Sequence, residues 1–155
     1  MCKFLVAFFL FISCNVVFSQ KELDVNQKNA KQAILDFFEG FHKGDTVLMR
    51  KTIDPNMAMQ IISKGKDGKI KTDQADIGNF LGVIHNRPKD QKWLEKLLDF
   101  RIDADDRIAQ IWTPYEFYVN DQFSHCGVNI FQLFNDGTTW KIIAIADTRK
   151  REGCK

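Results

Sequence analysis

The sequence predicts an α+β fold, with helices gathered at one end of a mostly antiparallel sheet of about six strands. Three observations predict it. In the first half, apolar residues recur at the spacing of one helical face. In the second half, long segments alternate apolar and polar residues, as strands do. The order is helix, helix, hairpin, helix, then four strands, and the short connections between those strands make neighbours antiparallel.

The first helix rests on Ala30, Ala33, Ile34, Phe37, Phe38 and Phe41, which form one stripe. Residues 20–29 are polar and read as a loose arm before it. Gly44 is placed to end the helix, and Asp45 to cap a second one over residues 46–53. Asp54-Pro55 stops that helix. Residues 57–63 read as a strand, 65–68 as a turn and 69–72 as the returning strand. Asp76 can cap a third helix, with Ile77, Phe80, Leu81 and Ile84 on one face. Strands are then expected over residues 93–102, 107–119, 123–134 and 140–148, with Asp105, Asn120-Asp121 and Asn135-Asp136-Gly137 at the turns.

At 155 residues, 45% hydrophobic and 27% charged, the composition is that of one globular domain. The first 19 residues differ from the rest. Lys3, an apolar run over residues 4–12, and Val17-Phe18-Ser19 before Gln20 have the layout of a secretory signal peptide cleaved after Ser19. The domain expected is then residues 20–155, exported to a bacterial periplasm or secreted, with no stable membrane span. Lipid anchoring through Cys14 is the weaker variant, because Phe11 suits a lipobox poorly. Loss of Lys3 takes the formal net charge from +2 to +1, so there is no electrostatic footprint for nucleic acid. Cleavage also leaves two cysteines, Cys126 and Cys154. In an oxidising compartment they can form one disulfide, or remain a buried thiol and a tail thiol.

The segments FFEGFHKGDTVLMRKTIDP, IAQIWTPYEFYVNDQFSHCGVNIFQLF and WKIIAIADTR resemble the nuclear transport factor 2-like superfamily over roughly residues 25–149. The middle segment is similar to exported bacterial members grouped as lumazine-binding. The resemblance implies a strongly curved sheet wrapped around the first helix, a cystatin-like cone with a pocket. It also implies pairing of copies through the sheet, hence a homodimer as one possible partner. Relatives on this scaffold isomerise, cyclise or dehydrate small molecules, or only bind them, so the fold leaves the function open.

Strand parity sorts the candidate site residues. Trp112, Glu116 and Tyr118 share one face, and Ile111, Tyr115 and Phe117 the other. His125, Gly127, Asn129 and Phe131 share a face, as do Ile143, Ile145, Asp147 and Arg149. Which group points inward is left open, since bulges reverse parity. Asp147 follows an apolar run, where a carboxylate needs a partner or a raised pKa. As a base it would remove a proton beside a carbonyl; otherwise it pairs with Arg149 or His125. His125 has the pKa range for acid–base work, or it simply braces a strand. Tyr115, Tyr118 and Asn129 can hydrogen-bond a ligand, Trp112 can stack on one, and His42 sits beside the Phe41 stripe where it could face the cone.

No HExxH, CxxC or HxH spacing suggests a metal, no glycine-rich loop suggests a phosphate cofactor, and no cofactor is expected. The reading is an exported protein that binds a small organic ligand. The alternatives are an isomerase, cyclase or dehydratase with Asp147 or His125 as base, and a non-catalytic dimeric module.

Overall fold

The computed structural model describes residues 22–154. The expected signal peptide over residues 1–19, and Cys14 within it, lie outside the described residues. Three helices, α1 (Val25–Lys43), α2 (Thr46–Thr52) and α3 (Ile77–His85), accompany seven strands: β1 (Ile53–Lys64), β2 (Ile70–Ala75), β3 (Trp93–Leu97), β4 (Arg101–Ala104), β5 (Ile108–Val119), β6 (Gln122–Asn135) and β7 (Trp140–Lys150). They make one sheet in the order β2-β1-β7-β6-β5-β3, with β4 also paired to β5.

Helix α1 starts earlier than the apolar stripe suggests. Asp24 caps it by accepting from the Gln27 N–H at 2.9 Å, and Gln27 Oε1 accepts from the Asp24 N–H in return. This reciprocal box satisfies two end donors and draws in residues expected to be a loose arm. The helix ends at Gly44, whose φ of 72° is one that side-chain-bearing residues avoid. Asp45 and Asp76 cap α2 and α3 as expected.

The buried stripe of α1 packs into the concave side of the sheet, against Met59, Ile111, Phe131, Leu133, Ile142 and Ile145. Three tethers fix its position. Gln27 Nε2 donates to the Ile102 carbonyl at 2.9 Å. Arg87 donates to the carbonyls of Phe41 and His42 in the last turn of the helix, where acceptors run out of intrahelical donors. The same guanidinium lies 5.2 Å from the Trp93 ring centre.

One strand expectation is corrected. The segment 93–102 is not one strand but two, β3 and β4, interrupted at residues 98–100. Opposite the break stands Pro114. Its carbonyl accepts from the Leu98 N–H at 2.9 Å, and it has no N–H to return. Three residues then bridge the gap between Leu97↔Tyr115 and Arg101↔Trp112. In the mostly antiparallel sheet, β1 runs parallel to β7, with Met59 beside Ile145 and Ile61 beside Asp147; all other pairs are antiparallel.

Cys126 and Cys154 form a disulfide, with Cα atoms 5.9 Å apart. It ties the C-terminal tail to the convex side of β6.

Candidate functional site

Between α1, α3 and the concave sheet lies a cavity of about 450 Å³. Register decides what lines it. Thr113, Asn129, Asp147 and Ile61 form one row across four strands, and Tyr115, Gly127 and Arg149 form the next. Of the parity groups, the inward one is therefore Tyr115 and Phe117 on β5, His125, Asn129 and Phe131 on β6, and Ile145, Asp147 and Arg149 on β7. Bulges interrupt parity at two places. Ser124 is skipped between Phe117↔His125 and Tyr118↔Phe123, which turns Phe123 outward. Ile143 is skipped between Leu133↔Ile142 and Gln132↔Ala144, so Ile142, not Ile143, is the fully buried residue there.

The wall is aromatic. Phe41 is 6.4 Å from Phe80 and nearly parallel to it, 5.9 Å from Trp93 and 6.1 Å from Phe117. Phe38 meets Phe131 edge-on at 6.0 Å. Offset and edge contacts of this kind add to the stabilisation from burying the rings.

The floor is polar. Asp147, 4% exposed, accepts from the Tyr115 hydroxyl on Oδ1 at 2.7 Å and from Arg149 Nε on Oδ2 at 2.5 Å. The Tyr115 hydroxyl also lies 3.1 Å from the Thr148 carbonyl. Burial first, then the Asp147 charge, raises the Tyr115 pKa, so its hydroxyl remains a donor. Burial works against the Arg149 charge, yet Asp147 outweighs it and the pKa is raised. Asp147 is thus a satisfied half of an ion pair, the structural alternative weighed for it above.

The Tyr115 ring reaches Asp147 because residue 127 is glycine. A Cβ there would lie 1.7 Å from the Thr148 carbonyl oxygen and 2.9 Å from Tyr115 Cε1. The backbone itself is the surface on which the ring rests.

His125 lines the cavity, its ring 5.0 Å from Phe117 and 5.8 Å from Tyr115. Nδ1 is 3.1 Å from the Ser124 hydroxyl. Burial, helped by Arg149, lowers its pKa and keeps the ring neutral near pH 7.

Three of the expected ligand residues fall elsewhere. Trp112 is 38% exposed and is not a lining residue. Tyr118 packs on Phe123 at 5.8 Å and donates to Glu116 at 2.8 Å, also away from the cavity. Both belong to the even-numbered face of β5, which is convex. His42 stops short of the cavity. Its Nε2 lies 3.0 Å from the Glu95 N–H and 3.1 Å from the Glu95 carbonyl, so it clamps α1 to β3. Burial lowers its pKa as well.

Glu95 is not among the sequence candidates, yet it stands at the centre of the floor. Its Oε1 accepts from Asn129 Nδ2 at 2.6 Å. The residue keeps some surface towards the cavity. Burial first, and Asp147 in addition, push its pKa up to about 8, against the opposing pull of Asn129 and Arg149. The signal for it is the alternation Trp93-Glu95-Leu97, a carboxyl placed on the face of two apolar neighbours.

No family model matches the chain, and no curated protein matches it. Solved structures do. A nuclear transport factor 2-like protein from Cytophaga hutchinsonii superposes with a TM-score of 0.62 at 11% identity, over 81% of this chain and 99% of its own. One of unknown function from Shewanella baltica gives 0.53 at 16% identity, over 81% and 94%. A ketosteroid isomerase-like protein from Shewanella frigidimarina gives 0.55 at 12% identity, over 77% and 94%. The lumazine-binding group is not among these. Helices seated in the hollow of a seven-stranded sheet, a cavity between them, and these superpositions give one conclusion: the chain has the nuclear transport factor 2-like, cystatin-like fold.

Proposed function

We propose that this chain is an exported protein that holds a small organic ligand in its cavity without transforming it. The observation that carries the reading is the cavity itself. Its volume falls within the range of roughly 300–1,000 Å³ usual for ligand pockets, and a mostly aromatic wall surrounds a few converging polar groups. The state of Asp147 weighs against catalysis by that residue: both carboxylate oxygens are engaged, so using it as a base would break the pair with Arg149 and the bond from Tyr115. The Cys126–Cys154 disulfide supports export, since such bonds persist in oxidising compartments. The exposed Trp112 and Phe123 on the convex face are where a second copy would sit.

Native mass spectrometry of the protein purified without denaturation tests this. A reproducible bound mass that denaturation removes is expected, and the same spectrum gives the oligomeric state. Ala75 lines the cavity from β2. Ala75→Trp should fill that space and eliminate the bound mass while leaving the far-ultraviolet spectrum unchanged. Retention of the mass by that variant would place the ligand elsewhere, and a cavity that captures nothing from any extract would end the binding reading.

A further inference from the structure

One carboxyl in the floor has no cation. Asp147 has Arg149, and Asp76 at the rim accepts from the Asn79 N–H. Among the described residues, no ion pair includes Glu95. Its Oε1 is taken by Asn129, and Oε2 makes no hydrogen bond to a described residue. Among those residues no fully enclosed side-chain nitrogen or oxygen lacks a partner. Oε2 therefore borders the open space of the cavity that Glu95 lines.

The charged and titratable groups around it come from every neighbouring element. His42 of α1 holds its backbone, Tyr115 comes from β5, His125 from β6, and Asp147 and Arg149 from β7; Asp76 and Arg87 flank the two ends of α3. Burial and Asp147 keep the Glu95 carboxyl protonated at neutral pH, with its pKa up to about 8. Because Oε1 already accepts from Asn129, the proton resides on Oε2. The result is a hydrogen-bond donor, without a partner among the described residues, facing an aromatic cavity.

We propose that Glu95 is the ligand-recognition residue of this cavity, donating from Oε2–H to the uncharged carbonyl oxygen of an aromatic ligand, so that the site takes aromatic ketones and quinones and rejects carboxylates of the same shape. The inference rests on the binding reading above. Each part of the ligand's chemistry follows from what it would meet. Phe41, Phe80, Trp93 and Phe117 supply faces and edges for a flat ring. A donor with no partner calls for an acceptor, and leaving it unpaired costs binding. An anionic ligand would suffer the desolvation and the Asp147 repulsion that keep Glu95 itself uncharged, and the Arg149 charge is already offset by Asp147, which its Nε contacts. A cationic ligand would need Glu95 ionised and would show the opposite pH dependence.

The test titrates the full chain with 2-acetonaphthone, 2-naphthoate and 2-naphthylmethylamine between pH 6 and 9.5, by calorimetry and tryptophan fluorescence. The ketone should bind at least about tenfold more tightly than the carboxylate at pH 7. Its affinity should be level below about pH 7, about half at pH 8 and about 30-fold weaker at pH 9.5, in proportion to the protonated fraction of Glu95. Glu95→Gln keeps an acceptor for Asn129 and a neutral donor towards the cavity. It should bind the ketone equally well at every pH, and thermal melts report whether it folds. The pH profile of the unaltered chain stands whether or not that variant folds. Ketone and carboxylate bound equally, a level ketone profile, a fall that persists in Glu95→Gln, or tighter capture of the ammonium probe would each overturn the inference while leaving the binding reading in place. No binding of any probe at any pH would overturn both.

Discussion

Glu95 makes the stability of the fold depend on pH. Its folded pKa, about 8, is above the 4.5 of an ordinary glutamate. Between those values the folded chain retains a proton that the unfolded chain has released, so stability falls as pH rises through about 4.5 to 8 and is level above. Glu95→Gln has no proton to lose. It should match the parent near pH 4.5 and exceed it increasingly towards pH 8. The shift sets an upper bound of about 5 kcal/mol, and the surface Glu95 keeps towards the cavity reduces the gain. Urea midpoints at pH 4.5, 7 and 9 measure it; a difference that is the same at all three pH values would refute the assignment. Asp147 and Glu95 also show what alternation can and cannot reveal. Glu95 stands between Trp93 and Leu97 on one strand face, and Asp147 between Ile145 and Arg149. Asp147 is conspicuous because it ends the long run of residues 142–146, whereas Glu95 sits in a five-residue strand whose length the sequence does not mark. What keeps Glu95 protonated is set by partners on other strands, which no local pattern contains.

At the scale of the element, β5 and β6 make the site by what they leave out. Pro114 withholds a donor and splits the neighbouring strand, and Gly127 withholds a side chain so that Tyr115 can lie across the backbone. Gly127→Ala should therefore be more damaging than a small exposed-strand substitution. A cost of about 2–4 kcal/mol is expected, as for forced overpacking combined with loss of buried hydrogen bonds. Chemical denaturation gives the cost, and the Tyr115 ring resonances give the displacement. A loss below about 0.5 kcal/mol would mean that β6 and β7 separate easily at this point. The helices and their caps at Asp45 and Asp76 were legible from spacing, because capping and amphipathicity are local. The Asp24 box was hidden by the polar residues that follow it, and the splitting of the segment 93–102 by a proline twelve or more residues away. Parity sorted the faces correctly except at Ile143, which is the residue skipped where β7 bulges.

At the scale of the whole molecule, the disulfide closes the largest covalent constraint among the described residues. Cys126 and Cys154 are 28 positions apart, and a loop of that size contributes about 3–4 kcal/mol by restricting the unfolded chain. Reduction should lower the thermal midpoint by many degrees and leave the far-ultraviolet spectrum of the folded state intact, since the bond sits on the convex side, away from the cavity. Calorimetry with and without a thiol reductant measures this, and identical midpoints would show the bond to be energetically idle. The sequence left this pairing open, because two cysteines do not reveal whether a tail returns to a strand. The general plan of helices on a sheet was legible because element order and short connections almost dictate it. The parallel contact was not: Ile61 and Asp147 become neighbours only when the entire intervening chain is in place.

That last contact has a consequence in time. β7 occupies the middle of the sheet, between β1 and β6, although it follows every other strand along the chain. During synthesis the β1–β2 hairpin emerges early and has no sheet to join, while α1 has no hollow to fill. Loop closure over such a distance makes the pairing slow and concentrates it in the final step. A ribosome-bound chain lacking β7 therefore holds two half-sheets with open edges, the state most prone to clumping or to capture by chaperones. The cavity is complete only once β7 has joined the two half-sheets.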